Sequence, residues 1–329
     1  MPAKNVELIP DDKSDTPKIL GQRDRFFDEL FPIFERDKDC VIITADNGAP
    51  ALHKFAEKLP RQFIQVGIAE QQMFGMAAGM AFEGKRVYCY AIAPFVTTRV
   101  HEFIKLDICA MNMPVTLLGI GAGYAYDIMG PSHHTLEDIS IMRCLPNLKI
   151  WSPADGVCAA ALAGKTYRDA SPHYIRFDRA GIPDLYEDED FQYWRGCWIA
   201  TRLVERPAVA IITTGVMVHQ AIKVAEELAE EGIKADIFDI IRIKPFDTDV
   251  FPTIRTPIVT LEEHFLAGGL GSIVAESLAD LRIELPLLRL GRTDEQGYCF
   301  IYGGRDEIWK QTGLDVDSVC SKIRAFLKK

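Results

Sequence analysis

The 329-residue sequence has no long apolar run: its longest stretches, such as Val115 to Ile120, are far shorter than a bilayer span. Nor does the opening MPAKNVELIPDDKSD hold the apolar core of a secretory signal. Both absences lead us to expect a cytoplasmic protein with no membrane partner. None of the eight cysteines (40, 89, 109, 144, 158, 197, 299, 320) stands in a Cys-x-x-Cys pair, and none of the seven histidines in His-x-x-x-His. A structural zinc site is therefore not expected. Several cysteines lie in apolar segments such as Val87 to Ala91 and Ile108 to Met111, and read as reduced core thiols. Positive charge is in short supply: 37 Lys and Arg against 47 Asp and Glu give a formal net charge of -10, scattered along the chain. A nucleic-acid backbone would be repelled on average. Gly119-Ile120-Gly121-Ala122-Gly123 and Gly268-Gly269-Leu270-Gly271 both fall short of Gly-x-Gly-x-x-Gly, and no complete phosphate loop occurs, so nicotinamide and nucleoside-triphosphate readings drop out. The chain lacks repeats of 20 to 50 residues and low-complexity tracts, which excludes solenoid and fibrous forms.

What is present is a globular composition, 48% hydrophobic and 26% charged, long enough for two cores. Residues 1–22 are polar and are expected to form a mobile lead-in. Thereafter β-rich runs at Val41–Ala45, Phe63–Val66, Arg86–Ala91, Val115–Ile120, Leu148–Trp151 and Tyr174–Phe177 alternate with helical stretches at Ala69–Phe82, Thr97–Met111, Leu136–Leu145 and Gly156–Tyr167. A Pro-, Gly- and acid-rich stretch over 186–204 reads as a surface linker. A second alternation follows, with strands at Ala208–Thr213, Ala235–Ile240, Ile258–Glu262 and Pro286–Leu290 and helices at Val216–Glu231, Asp247–Ile254 and Gly271–Leu281. The fold class is thus α/β, two doubly wound domains with mainly parallel sheets, over 23–185 and, smaller, over 205–329.

Glu70 opens a helix that is otherwise small and apolar, with Met73, Ala77, Ala78 and Met80. A carboxylate there either answers the helix dipole or is a functional group held in a dry site. The run Gly67-Ile68-Ala69-Glu70-Gln71, followed by Gly75-Met76-Ala77-Ala78-Gly79-Met80, resembles the pyrimidine-binding domain of the transketolase family, which includes the deoxyxylulose-phosphate synthases. The resemblance implies that Glu70 bonds the ring nitrogen of the aminopyrimidine of thiamine diphosphate. Ala91-Ile92-Ala93-Pro94-Phe95 matches the family's stacking aromatic, which makes Phe95 the ring under the pyrimidine, although an ordinary core Phe is the alternative. His101 falls where the family often places a pocket aromatic and is retained as a pocket candidate, as is Asp46 after the first strand, which a turn-forming role would explain equally well.

Gly130-Pro131-Ser132-His133-His134 resembles the family's Gly-Pro-Thr-His-Gln loop, which implies that His133 meets the substrate near the reacting carbon, with His134 in place of the usual Gln. Ser132 or Thr135 capping a helix from Leu136, with Asp138 in its first turn, is a structural reading of the same residues. Arg179 matches an arginine presented to a substrate phosphate; a surface pairing with Asp178 or Asp184 is the alternative. Two departures stand out: Met129 precedes Gly130 where an Asp is common, and Gly121-Ala122-Gly123 lies where relatives carry a basic residue. Val259-Thr260-Leu261-Glu262-Glu263-His264 followed by Gly268-Gly269-Leu270-Gly271 resembles the family's C-terminal domain, where no catalytic role is needed.

The Gly-Asp-Gly element that holds Mg2+ against the cofactor diphosphate is missing. The resemblance therefore implies ketol transfer between sugars or sugar phosphates by a two-chain enzyme. A separate N-terminal transketolase-like subunit would carry Mg2+ and the diphosphate, and the assembly would be α2β2. A 2-oxo-acid dehydrogenase β-type subunit, a deoxyxylulose-phosphate-synthase-like activity and a non-catalytic partner subunit are the rival readings.

Overall fold

The computed structural model describes residues 21–46, 48–179, 181–191 and 198–328. Most of the expected lead-in therefore lies outside the described residues, as do Asn47, Cys197 and part of the expected linker. Gln22, placed in the lead-in by sequence, is buried: its amide donates to the Pro153 carbonyl (2.8 Å) and accepts from the Asp178 amide (2.8 Å).

The first half opens on α1 (Gln22–Arg36), whose Phe26, Phe27, Leu30, Ile33 and Phe34 recur at helical spacing and are all buried. There follow β1 (Cys40–Thr44), α2 (Pro50–Lys58), β2 (Phe63–Gln65), α3 (Glu70–Phe82), β3 (Arg86–Ile92), α4 (His101–Phe103), β4 (Val115–Ile120), α5 (Asp138–Arg143), β5 (Lys149–Trp151), α6 (Gly156–Arg168) and β6 (His173–Phe177). Short 3-10 turns at Ala93–Phe95 and Thr98–Val100 and a π-helical stretch at Ile104–Ala110 break up what sequence read as one helix over Thr97–Met111. The second half holds β7 (Trp198–Arg202), β8 (Val209–Thr213), α7 (Met217–Glu230), β9 (Ala235–Ile240), β10 (Arg242–Lys244), β11 (Ile258–Phe265), α8 (Leu270–Asp280), β12 (Leu287–Arg292), α9 (Arg305–Thr312) and α10 (Val316–Leu327).

A seven-stranded sheet runs β10-β5-β6-β4-β3-β1-β2 and a five-stranded sheet runs β12-β11-β8-β9-β7. Pairing is parallel except at the edges, where β10 lies antiparallel to β5 and β7 antiparallel to β9. Strands β1, β4 and β6 are buried at every position, because helices cover both faces of a parallel sheet. The expected α/β class with two mainly parallel sheets is what the chain adopts. The stretch expected as a linker supplies β7, half-buried along its length, and β10 carries a piece of the second half into the first sheet.

The two halves meet through charges that neither satisfies alone. Arg305, at the start of α9, donates from Nη1 to Asp178 past the end of β6 (2.6 Å) and from Nε to Glu263 on β11 (2.9 Å). Glu263 also accepts from the Trp309 indole (2.6 Å) and from the backbone amide of Tyr124 (3.0 Å). Gly123 has a positive φ of 60°, and a Cβ there would overlap the Glu263 carboxylate. Asp138, expected in a helix first turn, is fully buried at the start of α5 and holds Arg176 by two bonds (2.7 and 3.0 Å) and the Tyr174 hydroxyl (2.7 Å). Breaking a buried pair by removing one partner leaves the other charge stranded, at about 3–5 kcal/mol. Arg305→Met should lower the unfolding free energy by an amount in that range (~3–5 kcal/mol), read from the midpoint of urea denaturation. A loss no larger than that of an exposed Arg would show that this junction carries little of the stability.

Candidate functional site

In an open α/β sheet, ligands bind beyond the carboxyl ends of the strands. Here β2 leads into Glu70, β3 into Phe95 and Arg99, β4 into Tyr126 and His133, and β6 into Arg179, so these residues come to one edge of the sheet. Glu70 is the first residue of α3, where the aligned amide dipoles favour a negative charge, and only 5% of it is exposed. Met73, Phe74, Ala77, Ala78 and Ala81 hold that helix to the core and so fix the carboxylate.

The side chains form a continuous series. Arg99 donates from Nη1 to Glu70 Oε1 (2.9 Å) and lays its guanidinium over the Phe95 ring, 3.7 Å from the centroid. The His133 ring stands edge-on to Phe95, with centroids 5.4 Å apart, and is tilted against Tyr126 at 5.6 Å. Arg179 is exposed and places its guanidinium 4.9 Å from the Tyr126 centroid. The alternative pairings for Arg179 are taken up elsewhere, since Asp178 bonds Arg305 and Asp184 bonds Arg25 (2.6 Å). Gly121, with a φ of 100°, leaves room for the Tyr126 ring, which a Cβ would overlap. The glycines that seemed to mark a lost basic residue thus make space for Tyr126 and Glu263.

Burial, and then the positive charge of Arg99, push the His133 imidazole below its ordinary value. A neutral ring, able to accept or pass a proton, therefore faces the site at neutral pH. Ser132 Oγ lies 2.9 Å from His133 Nδ1, which fixes the ring instead of capping a helix. Thr135 likewise donates to the Gly121 carbonyl (2.9 Å).

Three expected site residues are placed differently. The amides of His133 and His134 both donate to the Gly130 carbonyl (3.0 Å each), and this turn sends the neighbouring rings apart. His134 is 3% exposed, edge-on to Tyr124 at 5.1 Å, and its two ring nitrogens have no hydrogen-bond partner, so it packs between the halves and does not face the series. His101 is turned to α5, its Nε2 2.8 Å from the Ile141 carbonyl. Asp46 reaches the same sheet edge but is exposed and accepts from Gln65 (3.3 Å), in keeping with the turn role. Arg99 and Tyr126, which join the other four residues, were not singled out by sequence: neither belongs to a motif, and only the fold brings them between the loops.

Two family descriptions match the chain: transketolase, pyrimidine binding domain, over residues 23–183 and transketolase, C-terminal domain, over residues 200–319. One of the two subunits of an apulose-4-phosphate transketolase from Phocaeicola vulgatus is 35% identical, the alignment covering 94% of this chain and 99% of that one. A 6-deoxy-6-sulfo-D-fructose transketolase subunit of a Clostridium species is 32% identical over 84% of this chain and 85% of its own. Among solved structures, a split-gene transketolase described as an inactive beta4 tetramer superposes with a TM-score of 0.82 at 30% identity, covering 94% of this chain and 99% of that one.

Burial lowers the His134 pKa to about 4 from an ordinary 6.5. A ring that the fold keeps neutral adds stability that is complete above pH 6.5 and drains away as pH falls toward 4. His134→Phe should therefore narrow the difference in melting temperature between pH 7.5 and pH 5 without altering ligand binding at the sheet edge. An unchanged difference would show that His134 has no part in acid lability.

Proposed function

The chain belongs to the transketolase family, and from that premise we propose that it is the pyrimidine-binding subunit of a two-chain, thiamine-diphosphate-dependent enzyme that moves a two-carbon ketol unit between sugars. The observation that carries this reading is the buried Glu70 carboxylate beside the open face of Phe95, with His133 at its edge. A flat aminopyrimidine fits that donor set, with its ring on the Phe95 face and its nitrogen at the carboxylate. Bound thiamine diphosphate supplies the electron sink that ketol transfer requires. This chain's own part is to hold the pyrimidine by Glu70 and Phe95 and to exclude water with the apolar face of α3. His133, kept neutral, exchanges a proton with a substrate oxygen.

Arg179, exposed at the rim, is proposed to grip a phosphate or another anion on the sugar; a guanidinium fork suits two oxygens at once. Met129, half exposed, stands where an Asp would bond a sugar hydroxyl, which fits a specialised substrate such as those named for the relatives. Mg2+ and the diphosphate are assigned to a partner chain, because Gly-Asp-Gly is missing from this sequence. An α2β2 assembly is supported by α3, which leaves Gly75, Gly79 and a 69% exposed Phe82 on its outer face, next to an Ile68 that is 79% exposed. Among the described residues no helix is long and apolar enough to cross a membrane. A cytoplasmic setting belongs to the same proposal and is supported by free, mostly buried cysteines.

The purified chain by itself should show no ketol transfer, and adding the partner with Mg2+ and thiamine diphosphate should restore it. In that complex Glu70→Ala should slow exchange of the cofactor's thiazolium proton by roughly 10²–10⁴-fold while leaving the far-ultraviolet spectrum intact. Exchange at the unmodified rate would take Glu70 out of the mechanism. Arg179→Met should raise KM for a phosphorylated ketose roughly tenfold or more, with little change for its unphosphorylated form, since one charge-assisted bond is worth about 1.5–3 kcal/mol. Equal effects on both sugars would move the anion grip elsewhere.

A further inference from the structure

Arg99 has no part in the reading above, yet it has the most direct contact with both Glu70 and Phe95. It lies in the 3-10 turn Thr98–Val100, on the loop that carries Phe95, with 38% of its side chain exposed. Its guanidinium carbon is 3.7 Å from the Phe95 centroid, the distance of stacked flat groups, and Nη1 is 2.9 Å from Glu70 Oε1. A guanidinium is planar and delocalised, and presents N–H donors along its edge. It therefore makes, with one side chain, the two contacts that a flat nitrogen heterocycle would make here: a face on Phe95 and an edge on the carboxylate.

Two flat groups cannot share that slot. We infer that Arg99 is an internal stand-in for the aminopyrimidine, filling the slot between Phe95 and Glu70 in the free chain and swinging out to solvent when the ring enters. The inference rests on the proposed assignment of Glu70 and Phe95 to the pyrimidine. Its physical basis is the cost of a nearly buried carboxylate with no cation or donor beside it. The free subunit keeps Glu70 paired, and ring binding exchanges one partner for another. The exposure of Arg99 gives it a way out: a long side chain that already reaches water loses little by turning further toward it. The same arrangement weakens pyrimidine binding by the strength of the contacts that must be given up.

The test uses the full chain without its partner, and 4-amino-5-hydroxymethyl-2-methylpyrimidine as the probe, because that ring needs no diphosphate site. Binding to the unmodified chain, Arg99→Met and Arg99→Lys is followed by calorimetry, alongside the melting temperature of each free chain. Arg99→Met should bind the probe roughly tenfold or more tightly, the factor expected when a competing charge-assisted hydrogen bond is removed, and should melt lower when free. Arg99→Lys, which can still pair with Glu70 but cannot stack flat on Phe95, should fall between the two and decides the matter if the Met variant does not fold. Binding by the variants that is no tighter than that of the unmodified chain, or undetectable throughout, overturns the stand-in. Ketol transfer by the two-chain complex, measured in parallel, separates that result from failure of the proposed function: turnover with unchanged probe binding removes only Arg99's role, whereas absence of both removes the two together.

Discussion

Much of this molecule depends on one guanidinium finding its partners in two domains. Arg305 belongs to the second half by chain order, but Asp178 closes the last strand of the first sheet, and Glu263 lies on β11. A buried cation is tolerated only when it is paired and bonded. Docking of the halves is therefore bound up with folding. The consequences reach the candidate site within a few residues. Asp178 is the neighbour of Arg179, and Glu263 fixes the amide of Tyr124, two positions before the ring that supports His133 and Arg179. Glu262, on the same strand, accepts from the first amides of α8, Leu270 (2.7 Å) and Gly271 (2.8 Å). The Glu-Glu-His segment thus holds helix, loop and neighbouring domain together, with no catalytic duty of its own.

Strands were the most legible part of the sequence, because a strand buried on both faces is a short apolar run bounded by turn residues. Cys40–Thr44 and Val115–Ile120 are of this kind. Residues 22–36 had the spacing of a buried helix face and were still not assigned one. β7 and β10 were hidden for physical reasons. Edge strands are only partly buried, so their composition looks like that of loops, and three residues are too few to show a period. The broken helix over Thr97–Met111 has apolar residues at helical spacing, but its turns tighten and widen in succession, which spacing cannot reveal.

At the candidate site, Glu70, Phe95, His133 and Arg179 were accessible from motifs because each lies just beyond a strand, where the fold demands a loop and the chemistry demands a side chain. His134 shows the limit of reading by adjacency. One residue along a tight turn is enough to exchange an open site for a buried interface. Arg99 and Tyr126 show the opposite limit. Their importance lies in contacts across loops from different strands, and a linear sequence does not order residues in that way.

The antiparallel pairing of β10 with β5 gives the molecule a seam that ignores the order of the chain. Arg242 and Lys244 lie opposite Trp151 and Ile150, and the Lys244 ammonium bonds the Leu145 carbonyl. A first half produced separately would leave that flank of the sheet with its amides and carbonyls open, a template onto which any passing strand can add. Nicking the polypeptide between β6 and β7 would sever the covalent connection while the hydrogen-bonded one survived. The domains are thus separable as text and inseparable as fabric, and a fusion, tag or truncation placed by the sequence boundary would be tearing cloth where it meant to cut thread.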